Sequence, residues 1–158
     1  VLPARRGVQP AARAWATLAD GFRRGARSAD TTPLGDASAA MMQTRGFERV
    51  YWAGTAFALE ADVALRARGS SLDGALRRAA PRWRGDHSLW DAGRVLAALD
   101  GGGRPALLAP LGARWIAQRS FPDTDRLLRR LGGRPADGPL EDGELAAIRD
   151  AIMQPRSP

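Results

Sequence analysis

Arg49-Val50-Tyr51-Trp52-Ala53-Gly54-Thr55-Ala56-Phe57-Ala58-Leu59-Glu60-Ala61-Asp62-Val63-Ala64-Leu65-Arg66 holds the only tyrosine of the chain and its longest clean helical pattern. Trp52, Ala56, Leu59 and Val63 follow the spacing of one helix face, and Phe57, Ala61 and Leu65 lie beside them and widen the apolar stripe. A face that broad belongs in a bundle core. Arg66 and Arg68 close the pattern where cations suit the helix dipole, and Gly69 supplies a left-handed cap residue. The pattern predicts a helix from Val50 to Arg68, about 27 Å long at the usual rise per residue.

Tyr51 falls in the first turn of that predicted helix, where unsatisfied backbone N–H groups and the positive dipole end gather. Two readings of the side chain stand side by side. The phenol donates a hydrogen bond to a developing oxyanion, or the ring packs while the hydroxyl stays wet.

Tyr51-x-x-Gly54, followed by a small-residue helix with Asp62-x-x-x-Arg66 and then Ser71-Leu72-Asp73-Gly74, resembles the helix after the zinc site in the glycyl aminopeptidase family of gluzincin metallopeptidases. Ala4-Arg5-Arg6-Gly7 and Thr32-Pro33-Leu34-Gly35-Asp36-Ala37-Ser38 are similar to family segments that precede the tyrosine. Beyond Asp91 the likeness fades. Two positions depart from the family: Ala53 stands where it has lysine, and Trp52 where it has a second tyrosine. The resemblance implies the C-terminal half of a thermolysin-like peptidase domain, with Tyr51 as the oxyanion donor and Gly54 at the substrate cleft. The chain has one histidine and no His-Glu-x-x-His. The resemblance therefore implies zinc ligands upstream of Val1, zinc as cofactor of the longer protein only, and no metal ligand within this chain. A first residue that is not Met fits the same expectation. The implied partners are a peptide substrate and the upstream zinc-binding region. A catalytically degenerate relative that keeps the bundle as an interaction scaffold is the first alternative, and an Arg-rich helical nucleic-acid binder the second.

At 158 residues the chain has the size of one domain, which buries roughly 70% of its unfolded surface. The absence of cysteine removes disulfides and thiolate metal sites and assigns no compartment. No apolar run reaches the ~18 residues of a bilayer span, so no membrane span is expected. The net charge of +7 suggests nucleic acid, but all the basic residues are arginine. An Ala-, Gly-, Arg- and Pro-rich composition without lysine looks shaped by codon bias, with arginine filling lysine's places on a generic solvated surface, and no nucleic-acid partner is expected. Lacking lysine, the chain also lacks a P-loop lysine, a Schiff-base lysine and a lysine general base.

Along the rest of the chain, Val1 to Gln9 reads as irregular. A helix from Pro10 to Arg24 presents Trp15, Leu18, Ala19 and Phe22 and stops at Gly25, ahead of a loop to Gly35. Asp36 is the expected cap of a short helix through Met41-Met42, whose methionines read either as cleft lining or as core filler. Ser70-Ser71 cap a helix ending near Trp83, and Ser88 caps another through Trp90, Val95, Leu96 and Leu99. With the intervening Arg77, Arg78, Arg82 and Arg84, this pair has the outline of a helix-turn-helix, which any helical hairpin in an Arg-rich chain would share. His87, in a polar turn without histidine or cysteine companions, reads as a surface histidine. Asp100-Gly101-Gly102-Gly103 reads as a flexible turn, then a helix from Pro105 to Ile116 kinked or broken at Pro110, one around Leu127-Leu128, and a last one from Glu141 to Met153. No alternating β pattern appears. The expected fold is all-α, an irregular bundle of five to seven helices forming a single helical domain over 1–153, with a disordered tail over 154–158.

Overall fold

A computed structural model describes residues 2–84, 86–102, 105–132 and 140–154. Among them every regular element is helical: α1 (Leu2–Arg5), α2 (Ala11–Ala26), α3 (Leu34–Ala39), α4 (Met41–Thr44), α5 (Phe47–Arg66), α6 (Leu72–Ala79), a 3-10 turn (Ala80–Arg82), α7 (Ala92–Asp100), α8 (Leu108–Ile116), α9 (Thr124–Arg130) and α10 (Ala146–Met153). The fold is all-α. The pieces outnumber the expected five to seven helices because single turns such as α1 and α4 carry too few residues to show a periodicity. Apart from Gln154, the expected tail lies outside the described residues, as does Gly103 of the Gly-rich turn. No described helix is long and apolar enough to cross a membrane.

The tyrosine-bearing helix α5 is the axis of the bundle. Ala56 and Ala61 are fully buried, and Leu59, Val63 and Leu65 nearly so. Helix α2 packs along it through Trp15, Ala19 and Phe22 of the predicted face and through Ala14, which that face did not include, while Leu18 is half-buried. Gly25 does not stop α2 but lies inside it, buried, because a Cβ there would strike Phe121 and Trp52. Helices α7 and α8 pack on each other, and α6 joins them to α5.

Carboxylates fix the corners. Asp62 is buried on α5 and accepts from the Leu72 N–H at 2.7 Å and from Arg66 Nε at 3.0 Å. The Asp62-x-x-x-Arg66 signature is thus a joint that pins the end of α5 to the start of α6, where Ser71 caps by accepting from the Gly74 N–H. Asp100 is no flexible-turn residue. It ends α7, and its carboxylate accepts from the N–H groups of Leu107, Leu108 and Ala109 at 2.8–3.0 Å, satisfying the open start of α8. Pro110 therefore sits in the first turn of α8, where its missing N–H costs nothing, and neither kinks nor breaks it.

Other boundaries move for identifiable reasons. α7 is capped by Asp91, which accepts from the Arg94 N–H, while the Ser88 hydroxyl accepts from Arg94 Nη1. Asp36 lies inside α3, which starts behind Pro33. The last helix begins at Ala146 instead of Glu141, since the Glu141 and Leu145 N–H groups are drawn to the Gly132 and Arg130 carbonyls. The first residues are not irregular: Arg5 of α1 donates to the Ile152 carbonyl and pairs with Asp73, both at 2.5 Å, tying α1 to α10 and α6.

Candidate functional site

Helix α5 begins at Phe47, and the Val50 N–H already bonds to the Gly46 carbonyl. Tyr51 therefore lies past the first turn, and the expected pool of free N–H groups beside it is absent. What Tyr51 offers is its phenol. The residue is 66% exposed, and no described residue hydrogen-bonds its hydroxyl. Its ring stands edge-on to Trp52 at 5.1 Å and 89°. Trp52 is held in turn by an edge contact with Phe22 at 6.2 Å and by the Arg24 guanidinium 5.1 Å from its ring centroid. Gly21 and Gly25 leave the space that its ring and Cβ fill. The tyrosine thus stands on the surface, braced from one side by an aromatic rooted in the α2–α5 contact.

Beside it runs a groove of about 410 Å³ formed by Met41, Phe47, Val50, Tyr51 and Trp52, with Glu48 at its edge. Met41 lines this groove and Met42 is 70% exposed, so the methionines are not core filler. Of the polar residues near the tyrosine, Arg49 faces inward. It is buried and donates to Asp30 Oδ2 at 3.0 Å and to the carbonyls of Thr32 at 2.7 Å and Arg119 at 3.0 Å. Glu48 pairs with Arg24 at 3.4 Å, and Arg45 ends α4 in the left-handed region at φ 57°.

Gly54, one turn beyond Tyr51, borders a second groove of about 450 Å³. Glycine inside a helix costs roughly 0.5–1 kcal/mol against alanine, so each such residue invites a reason. Four of the described helical glycines have one in a close neighbour: Trp52 at Gly21, Phe121 at Gly25, Ile116 at Gly35 and Leu96 at Gly112, while Gly74 and Gly93 meet only the tips of polar side chains. Around Gly54 an added Cβ would meet nothing within 4 Å. The groove walls come from α3, α5, α7 and α8, and no local pattern in the sequence announces that Ile116 and Val95 line one groove with Gly54.

A third cleft, of about 510 Å³, has mixed walls, with Glu60, Arg114, Asp123, Arg126 and Arg130 set among apolar side chains. Glu60 anchors it, accepting from Trp115 Nε1 at 2.7 Å and from Arg114 at 3.2 Å. In the stretch between the 3-10 turn and α7, Asp86 collects the Ser88 N–H at 2.9 Å, Trp90 Nε1 at 2.8 Å and Arg94 at 3.1 Å. These bonds, those from Ser88 foremost, hold its carboxyl down from 3.8 to about 2. Thr32 and Arg49 lower Asp30 in the same direction, the Thr32 N–H most of all. His87, beside Asp86, is exposed. Of the arginines that suggested a helix-turn-helix, Arg78 donates to the Ser70 hydroxyl and Arg82 to the Ala98 carbonyl.

Among the described residues no three His, Cys, Asp or Glu side chains gather where they could hold a metal ion. The donors among these described residues do not make a zinc site. Compared with protein-family models, curated proteins and solved structures, the chain matches none.

Proposed function

We propose that this chain is the C-terminal helical portion of a zinc-dependent, aminopeptidase-like enzyme, to which it contributes Tyr51 and no metal ligand, and that it is inactive alone. The observation that carries the reading is the exposure of Tyr51 at the side of an open groove, with its hydroxyl unengaged by any described residue. Were the phenol sealed in the core, no peptide could reach it. The role supported is electrostatic: a phenolic O–H, braced by Trp52, donates to the oxygen of a peptide carbonyl as negative charge gathers there. Such a donor is commonly worth ~3 kcal/mol in the transition state. The zinc ligands in this proposal belong to another segment, and the described residues here serve to position the tyrosine and line the peptide's path.

The test is Tyr51→Phe in the complete gene product. Zinc-dependent hydrolysis of a small peptide amide should fall about a hundredfold, with the melting curve unchanged. Turnover equal to that of the parent protein would reduce Tyr51 to a surface aromatic.

One observation favours the scaffold reading. Ala53, which stands where the family has lysine, is 2% exposed and belongs to the core, so this position does not present a cation to a cleft. A complete gene product that binds peptide but hydrolyses none in the presence of zinc would select that alternative.

A further inference from the structure

We propose that the groove beside Gly54 receives a bulky apolar side chain, aliphatic or aromatic, of a peptide ligand. That the ligand is a peptide rests on the reading of Tyr51 given above; that its side chain is apolar rests on the groove alone.

The groove has the volume of a small-ligand site, about 450 Å³. Leu34, Val50, Phe57, Val95 and Ile116 form its walls, and no charged residue lines it. Two tryptophans, Trp90 and Trp115, also border it, but their N–H groups are committed elsewhere, to Asp86 and to Glu60. They present ring carbon to the groove, so the Ser38 hydroxyl is the main side-chain polar group left to read a guest. A charged guest would lose its water without a partner.

Gly54 supplies the independent sign that something fits there. It is a helical glycine for which the protein's own packing gives no reason, and its missing side chain leaves open the floor of the groove. Position on the helix suits a peptide as well. Gly54 is three residues beyond Tyr51, or about 4.5 Å along the axis, close to the roughly 3.3 Å that one extended residue covers. Val50 borders both this groove and the one at Tyr51, so the two adjoin across a single residue. A peptide whose carbonyl lies at the phenol would place a neighbouring side chain over Gly54.

The experiment titrates the chain with acetylated, amidated Gly-Phe-Gly, Gly-Leu-Gly, Gly-Glu-Gly and Gly-Gly-Gly while following the indole N–H resonances of all five tryptophans. The Phe and Leu peptides should bind about tenfold tighter or more than the other two, with shifts centred on Trp90 and Trp115 and little change at Trp15. Gly54→Leu should weaken that binding about tenfold, because the new side chain occupies the floor; if this variant does not fold, Gly54→Ala, which adds a single methyl to open space, should weaken it in the same sense. Equal affinity for all four peptides, or unaltered binding by the folded variant, overturns the proposal. Tyr51→Phe should change the four affinities alike and keep the preference for Phe and Leu, so loss of turnover in the complete gene product bears on the peptidase reading and loss of apolar selectivity on this one.

Discussion

Trp52 lays the six-membered ring of its indole into the place that a side chain on Gly21 would fill. The contact joins α2 to α5 at the point where the exposed tyrosine is braced, so packing and site share one residue. Gly21→Ala would force the ring outward and break its edge contact with Phe22. Overpacking of this kind costs about 1–3 kcal/mol, and the denaturant midpoint should fall accordingly. Combining Gly21→Ala with Trp52→Leu should recover part of the loss; a double variant no more stable than Gly21→Ala alone would argue against the steric origin.

Asp62 offers a graded test of the α5–α6 corner. In Asp62→Ala, Arg66 and the Leu72 N–H both lose a partly buried partner, a loss of about 2–3 kcal/mol. Asp62→Asn keeps an acceptor for Leu72 and gives up only the charge, costing about 1 kcal/mol. Thermal melts of the two variants should rank in that order, and equal melting temperatures would show that the corner is held by something else.

Acid should find the Asp86 cluster late. Its carboxyl is lowered in the folded state, so the stability it contributes is complete above its ordinary value of 3.8 and is lost as pH falls toward about 2. The Trp90 indole N–H reports on this directly, since it donates to Asp86. Its resonance should hold steady through mild acid and move with a midpoint well under 3.8. A midpoint at the ordinary value would mean that the Ser88, Trp90 and Arg94 bonds do not persist in solution.

The all-helical class was legible from spacing alone, because Trp15, Ala19 and Phe22 on one helix and Ala56, Leu59 and Val63 on the other repeat as buried faces must. Ser71 could be named as a cap since its donor lies three residues on. Asp100 could not, because its donors follow seven to nine residues later across a glycine-rich stretch. Choosing Ser88 over Asp91 failed for a related reason: both are good cap residues, and Trp90 packing edge-on against Trp83 belongs to tertiary structure. At the site, the sequence could single out Tyr51 and Gly54 as positions on a helix. It could not say that both would face open grooves, since the walls come from α3, α4, α7 and α8.

Arg49 gives the arginine-only composition another meaning. Its planar fork reaches a carboxylate and two carbonyls on separate stretches of chain, at Asp30, Thr32 and Arg119. A lysine, ending in one compact ammonium, has neither the spread nor the fixed angles to hold all three. Whatever set the overall bias toward arginine, at this address the residue cannot be exchanged for lysine without unfastening two distant loops at once.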